Sequence, residues 1–238
     1  VPVLKMTEPR QPLSIHALTA SIWSFFSSNG KRIEDIAGGT QQLKVKRIKT
    51  LMIFARTTNI VMKPLVYMLY QDDPFKCTAA KLAKFRLAEP VKFIPRRSIV
   101  LNPFSEDPIL RYDVTVADSV CVIDCSWERA DEVLKHKRLA AHGIGRRLPA
   151  MLAANPTNYA KLGKLSSAEA LAGALYILGE KELAAKMMDK FKWGHTFLEL
   201  NLNLLDDYAD AETEEQVAEL EKEYFPRLEN STLWQQQA

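Results

Sequence analysis

The sequence predicts an α/β protein, with a largely parallel sheet in its first part and a small, mostly helical part after it. Three observations carry that expectation. Residues 120–123, Val-Cys-Val-Ile, and residues 98–101, Ser-Ile-Val-Leu, are short β-branched runs without alternation, as in strands buried on both faces. Stretches of helix or loop character separate the strand-like runs, the arrangement that gives parallel crossovers. Beyond Leu148 the apolar residues recur at helical spacing.

In chain order, residues 14–28 place Ile15, Leu18, Ile22, Trp23 and Phe26 at helix-like spacing, and a basic run follows at residues 44–49. Residues 1–61 stand apart as an N-terminal extension of unassigned role, with the functional protein expected to start near Met62. Residues 65–70 predict the first strand of an α/β domain spanning 62–147. Residues 72–78 are a turn into a short helix over 79–85, with Thr78 as a candidate N-cap. The strand at 98–101 ends at Asn102-Pro103, where proline stops a ladder at a sheet edge. After the strand at 120–123 comes a helix over 128–139 and then a basic stretch. From 148 to 238 the expectation is a helical domain that completes the pocket. Ser166 and Glu169 have the spacing of a capping box and open a helix over 167–178 that ends at Gly179. Helices over 181–191, 197–208 and 213–224 follow. Lys192-Trp193-Gly194-His195 reads as a staple between helices, with Trp193 buried and His195 a cap.

Composition limits the function classes. The chain has 238 residues, 47% hydrophobic and 26% charged, which is ordinary for a globular protein. The formal net charge of +3 is unevenly spread: +8 over residues 1–120, +3 over 121–200 and −8 over 201–238. A basic body with an acidic tail suits a polyanionic partner such as RNA. The basic residues singled out for such a partner are Lys92, Arg96 and Arg97 before the second strand, and Arg138, His142, Arg146 and Arg147 after the third. Cys77, Cys121 and Cys125 provide neither a disulfide framework nor zinc-site spacing, so no metal is expected. No run approaches the ~20 apolar residues of a membrane span, and no signal sequence is evident. A cytoplasmic protein is therefore expected.

The chemistry concentrates at residues 120–169. A strand running into Asp124-Cys125-Ser126-Trp127 delivers a carboxylate and an indole to its C-terminal edge, where ligands of α/β sheets collect. A capped helix start at Ser166-Ser167 offers N–H groups and a positive dipole end to a carboxylate or phosphate. Taken singly these are weak signals, since an Asp after a strand is more often a turn former and most capping boxes bind nothing.

Their combination is more specific. Asp124-Cys125-Ser126-Trp127, the run Ala153-Ala154-Asn155-Pro156-Thr157-Asn158-Tyr159, Lys164-Leu165-Ser166-Ser167 with Glu169-Ala170, and Lys192-Trp193-Gly194-His195-Thr196-Phe197 occur in this order. The set resembles the ribosomal RNA aminocarboxypropyltransferases of archaea and eukaryotes, over roughly residues 63–210. Lys76-Cys77-Thr78 followed by Lys81-Leu82-Ala83 resembles that family's first motif.

The resemblance implies a SPOUT-like, trefoil-knotted sheet that binds S-adenosylmethionine. It also implies transfer of the 3-amino-3-carboxypropyl group to N3 of a pseudouridine, or of its N1-methyl form, in small-subunit ribosomal RNA, with release of methylthioadenosine. Carried over by motif, the cofactor contacts are Thr78, Leu101, Pro103, Ile123, Trp127, Leu148, Gly163, Leu165 and Ser167, with Ser166 beside them at the helix start. Gly163 stands where relatives often have a larger residue, so its contact is through backbone. Asp124 is the candidate catalytic carboxylate, to take the N3 proton or attract the sulfonium. The expected partner is small-subunit RNA or a pre-ribosomal particle, and the expected state is a monomer. Two alternatives remain open. A SPOUT-type RNA methyltransferase would use the same cofactor. A non-enzymatic assembly factor is suggested by likeness of residues 63–104 to the start of an archaeal ribosome-recycling ATPase, although the phosphate loop such an ATPase needs is missing.

Overall fold

The computed structural model describes residues 61–70, 77–126 and 143–226. The chain divides into two compact units, residues 1–58 and 59–238, and all described residues belong to the second. The amphipathic stretch 14–28, the basic run 44–49, the turn at 72–76, Trp127, the helix expected over 128–139, Arg138, His142 and the polar tail lie outside the described residues.

Five strands form one sheet among the described residues: β1 (Lys63–Met68), β2 (Glu89–Pro90), β3 (Ser98–Leu101), β4 (Ser119–Asp124) and β5 (Ile144–Arg146). Their order is β2-β1-β4-β3-β5 and every pair is parallel. The parallel α/β expectation therefore holds. All residues of β3 and β4 are buried, which explains their unalternating apolar runs. Val120 and Val122 face the main core, while Cys121 and Ile123 face a second cluster with Leu65, Ile94 and Val100. At the strand starts the Ser119 hydroxyl donates to Ser98 Oγ at 2.9 Å, which satisfies both inside the sheet.

Six α-helices are described: α1 (Thr78–Lys84), α2 (Ser167–Ile177), α3 (Lys181–Met188), α4 (Gly194–Leu200), α5 (Leu202–Asp210) and α6 (Glu214–Tyr224). α2 is apolar almost all round because it is enclosed, packing on β4, α1, α3 and α5. It ends at Gly179, whose φ of +99° an L-residue rarely adopts.

Several expectations need correction. α1 is capped by Cys77, whose Sγ accepts from Ala80 N, and Thr78 is already inside the helix. The single helix expected over 197–208 is two, broken at Asn201, whose side chain accepts from Leu152 N at 2.8 Å and donates to Leu152 O at 2.9 Å. That amide is drawn out of the helical run to pair with a distant backbone. β5 lies in a stretch read as a basic loop, and a 3-10 turn at Arg111–Thr115 was not anticipated. Gly194 fits the staple reading, since a Cβ there would stand 1.9 Å from Met188 O. Trp193 is half-buried against Phe191, and His195 lies exposed inside α4, 3.4 Å from Asp189.

Candidate active site

The site forms where β3 and β4 end. Parallel register sets Leu101 beside Val122, so the chain leaves both strands at the same edge of the sheet. A cleft opens there, closed on its other side by residues 148–149 and by the segment 163–170 that becomes α2. Among the residues expected at a cofactor, Leu101, Pro103, Ile123, Leu148, Gly163, Leu165, Ser166 and Ser167 line this one cleft. Asn102, Val122, Cys125, Pro149 and Ala170 line it as well and were not singled out from sequence. The strand neighbours could have been found by noting that both sides of a strand's last residues face the edge.

Ser166 opens α2 with extended backbone, and its Oγ accepts from Glu169 N at 3.3 Å. Glu169 answers through Oε2, which accepts from Ser166 N at 2.7 Å, completing the capping box read from sequence. The fully buried Glu169 does more. Its Oε1 accepts from Ala154 N at 2.7 Å and Asn155 N at 2.9 Å, and Oε2 also accepts from Asn155 Nδ2 at 2.7 Å. Four N–H groups on one carboxylate compensate its burial and lock the loop over 153–165 onto the helix start.

The helix terminus is already partly occupied. Ala168 N donates to Thr78 Oγ1 at 3.2 Å, and Glu169 N is taken by Ser166. None of the described residues accepts from Ser167 N, which leaves that N–H, with the dipole behind it, for an anion at the cleft. Thr78 does not line the cleft; it ties α1 to α2.

Asp124 is 8% exposed, ends β4 and lies between the lining residues Ile123 and Cys125 without lining the cleft itself. Its Oδ1 accepts from the Ser167 hydroxyl at 2.6 Å and its Oδ2 from the Cys77 thiol at 3.0 Å. The carboxylate thus joins three elements: β4, the cap of α1 and the first turn of α2. Burial, reinforced by the Asp124 carboxylate, pushes the Cys77 thiol up to about 11, so it stays a protonated donor at neutral pH.

The basic residues separate into two groups. Arg97 makes a two-pronged bond to Asp118 on the surface. Arg146 lies against buried Asp113 and against Asp107, and Arg147 makes a two-pronged pair with Glu221 of α6, whose Oε1 also accepts from Ala150 N. Both latter guanidiniums are mostly covered and hold the chain that enters the cleft. Lys92 and Arg96 are exposed.

Residues 99–225 match the family described as "Ribosome biogenesis protein, C-terminal". A protein of Methanosarcina acetivorans named 16S rRNA aminocarboxypropyltransferase is 44% identical over 165 residues, 67% of this chain and 92% of that one. A protein of Sulfurisphaera tokodaii with the same name is 39% identical over 169 residues, covering 70% and 98% of the two chains. The solved structure of the SAM-dependent rRNA:acp-transferase Tsr3 from Vulcanisaeta distributa covers 68% of this chain and 97% of its own. It does so at 36% identity and a TM-score of 0.60.

Proposed function

The chain belongs to the 16S rRNA aminocarboxypropyltransferase family, and on that premise we propose that it transfers the 3-amino-3-carboxypropyl group of S-adenosylmethionine to small-subunit ribosomal RNA during ribosome biogenesis. The acceptor is N3 of a pseudouridine or of its N1-methyl form, and methylthioadenosine is released. The observation that carries this reading is the cleft at the ends of β3 and β4, apolar on its strand side and closed by the start of α2. The family also supports a trefoil-knotted threading of this parallel body, with residues 148–238 completing the pocket. Work on ribosomal RNA supports a cytoplasmic location, and we take the protein to act as a monomer.

The residues present fit the cofactor. A sulfonium has three carbons open to displacement, and the one that reacts is the one held in line with the nucleophile at ~3–3.5 Å. Leu101, Pro103, Leu148 and Leu165 supply an apolar wall on which a methyl group can be buried. Ser167 N–H is the group available to the carboxylate. Asp124 places negative charge beside the lining residues Ile123, Cys125 and Ser167, which favours a cation in the cleft. Each Asp124 oxygen holds one donor and keeps a second lone pair, so the carboxylate can orient the Ser167 hydroxyl and still accept the N3 proton. Among the basic residues expected at RNA, Lys92 and Arg96 are exposed and available for phosphate, while Arg97, Arg146 and Arg147 are engaged with carboxylates of the fold.

The test is a reaction of the protein with small-subunit RNA and S-adenosylmethionine labelled separately in the methyl and carboxyl carbons. Carboxyl label alone should enter the RNA, with methylthioadenosine as product. Methyl label in the RNA would make the protein a methyltransferase, and neither label together with no cofactor binding would make it an assembly factor. Asp124→Asn should lower transfer on the order of 10²-fold. A loss of tenfold or less would remove a base role and leave Asp124 holding Ser167.

A further inference from the structure

The segment that closes the cleft is one leg of a hairpin. Leu152 and Leu162 form an antiparallel bridge, Ala153 N donates to Lys161 O at 3.0 Å, Ala160 N donates to Ala153 O at 2.7 Å, and Gly163 N donates to Met151 O at 2.8 Å. Its base lines the cleft through Gly163 and its tip is residues 154–159. The tip is held from both ends. Glu169 takes the N–H groups of Ala154 and Asn155, and Asn155 Oδ1 accepts from Asn158 N at 3.0 Å. Asn201 clamps the other leg at Leu152.

All this order ends in an aromatic residue left mostly open to solvent. Tyr159 is 59% exposed, although the backbone on either side of it is fixed and Ala160 adopts a left-handed φ of +59°, unusual for a residue with a Cβ. A tyrosine on a mobile loop exposes itself for want of structure. Here a buried carboxylate, two asparagine side chains and a left-handed alanine together hold it out from the surface. Lys161, also exposed, lies beside the same tip, its Nζ donating to Asn158 Oδ1 at 3.3 Å. An exposed aromatic ring and an ammonium on one hairpin are the pair of groups that binds an unstacked nucleotide, the ring taking the base and the cation the phosphate. Tyr159 is four residues from Gly163, so it stands within about 14 Å of a residue lining the cleft.

We propose that Tyr159 is a stacking platform for a base of the substrate RNA, at or next to the nucleotide that enters the cleft, with Lys161 contacting the adjoining phosphate. The proposal rests on the transferase reading for the identity of the RNA. Its physical reason is that a base can present N3 to the cleft only when unpaired and splayed from its neighbours, and a rigid aromatic surface compensates the stacking it gives up.

The experiment uses the full chain and a small-subunit RNA fragment carrying the acceptor. It measures RNA binding by fluorescence anisotropy, S-adenosylmethionine binding by calorimetry, and the kinetics of transfer. Tyr159→Ala should weaken RNA binding and raise KM for RNA on the order of tenfold, with cofactor affinity and thermal midpoint unchanged, and Tyr159→Phe should behave as the native protein. Unchanged RNA affinity and KM in Tyr159→Ala overturns the proposal. So does a Tyr159→Phe variant as impaired as the alanine, which would assign the hydroxyl rather than the ring. Weaker binding to pre-ribosomal particles alone, with naked RNA bound normally, would assign Tyr159 to a protein contact and overturn it too. RNA binding is read without turnover, so a wild-type protein that binds the fragment yet transfers no aminocarboxypropyl group defeats the transferase reading while leaving the Tyr159 comparison legible.

Discussion

Leu101 and Ile123 reach the cleft on strands paired on both sides, whereas Gly163 and Leu165 reach it on a loop whose position depends on one buried carboxylate. The strand wall is held by a repeated ladder and by apolar packing on both faces, so each residue contributes a small and replaceable share. The loop wall is held by a few polar atoms. Glu169 alone receives four N–H groups, and Glu221 and Asn201 fix residues 147–152. A binding site assembled from two such walls has a rigid half and a half that fails at single atoms. The same contrast says where conservative substitutions will be felt.

The largest expected effect follows from exchanging one carboxylate oxygen in the loop wall. Glu169→Gln keeps shape and volume but puts an NH₂ where Oε1 or Oε2 now accepts two bonds, so buried donors face each other. We expect a loss of about 3 kcal/mol, read as a fall in thermal midpoint of roughly 6–12 °C for a domain of this size. Cofactor affinity should fall with it, because Ser166 and Ser167 lose their support. A midpoint within roughly 2 °C of the native value would mean that the loop is held by something other than this carboxylate.

The joint between the two walls gives a smaller and pH-dependent effect. Cys77 donates to Asp124 on the strand side, and its neighbour Thr78 accepts from Ala168 on the helix side. Its thiol is raised to about 11 by burial, and Cys121, deeper in the sheet, to about 12. An unfolded chain ionises these thiols from about pH 9, while the folded protein keeps its protons, so above that pH the unfolded state binds fewer protons. Their contribution to stability is therefore complete below about pH 9 and is lost as pH rises toward 11 and 12. Denaturant midpoints taken from pH 7 to pH 11 should fall more steeply for the native protein than for Cys77→Val. Parallel curves would mean that the folded thiol titrates like a free one.

How far the site was legible in the sequence follows the same division. β4 announced itself because a strand covered on both faces must be apolar throughout, and the start of α2 because a capping box is a local pattern of four residues. Of the eight expected residues that line the cleft, Ile123 lies on β4 and Gly163, Leu165, Ser166 and Ser167 lie at or just before the start of α2. Leu101 and Pro103 at the end of β3 and Leu148 after β5 were instead expected from the family motifs. β5 was missed because Ile144–Arg146 has no apolar run; it is a strand only because β3 lies beside it. The bonds from Glu169 to Ala154 and Asn155 span 15 and 14 residues, and no short-range pattern encodes them. Arg146 and Arg147 looked like a surface patch until Asp113 and Glu221, 33 and 74 residues away, were seen to claim them. Strand propensity and helix caps are local and can be read. Polar contacts between distant loops are specified only once the chain has folded.

The smallest effect should come from the strand wall, and it is the control on the whole contrast. Ile123 lines the cleft but also packs in the second cluster with Leu65, Val100 and Cys121, and it is 6% exposed. Ile123→Val removes one methylene from a site with a ladder on either side, so the expected cost is about 0.5–1.5 kcal/mol. Both its neighbours and its hydrogen bonds stay in place, which should leave cofactor affinity within roughly threefold of native. If calorimetry instead shows affinity falling as far as in Glu169→Gln, the two walls are not held differently. The cofactor then reads the shape of the strand edge as closely as it reads the loop.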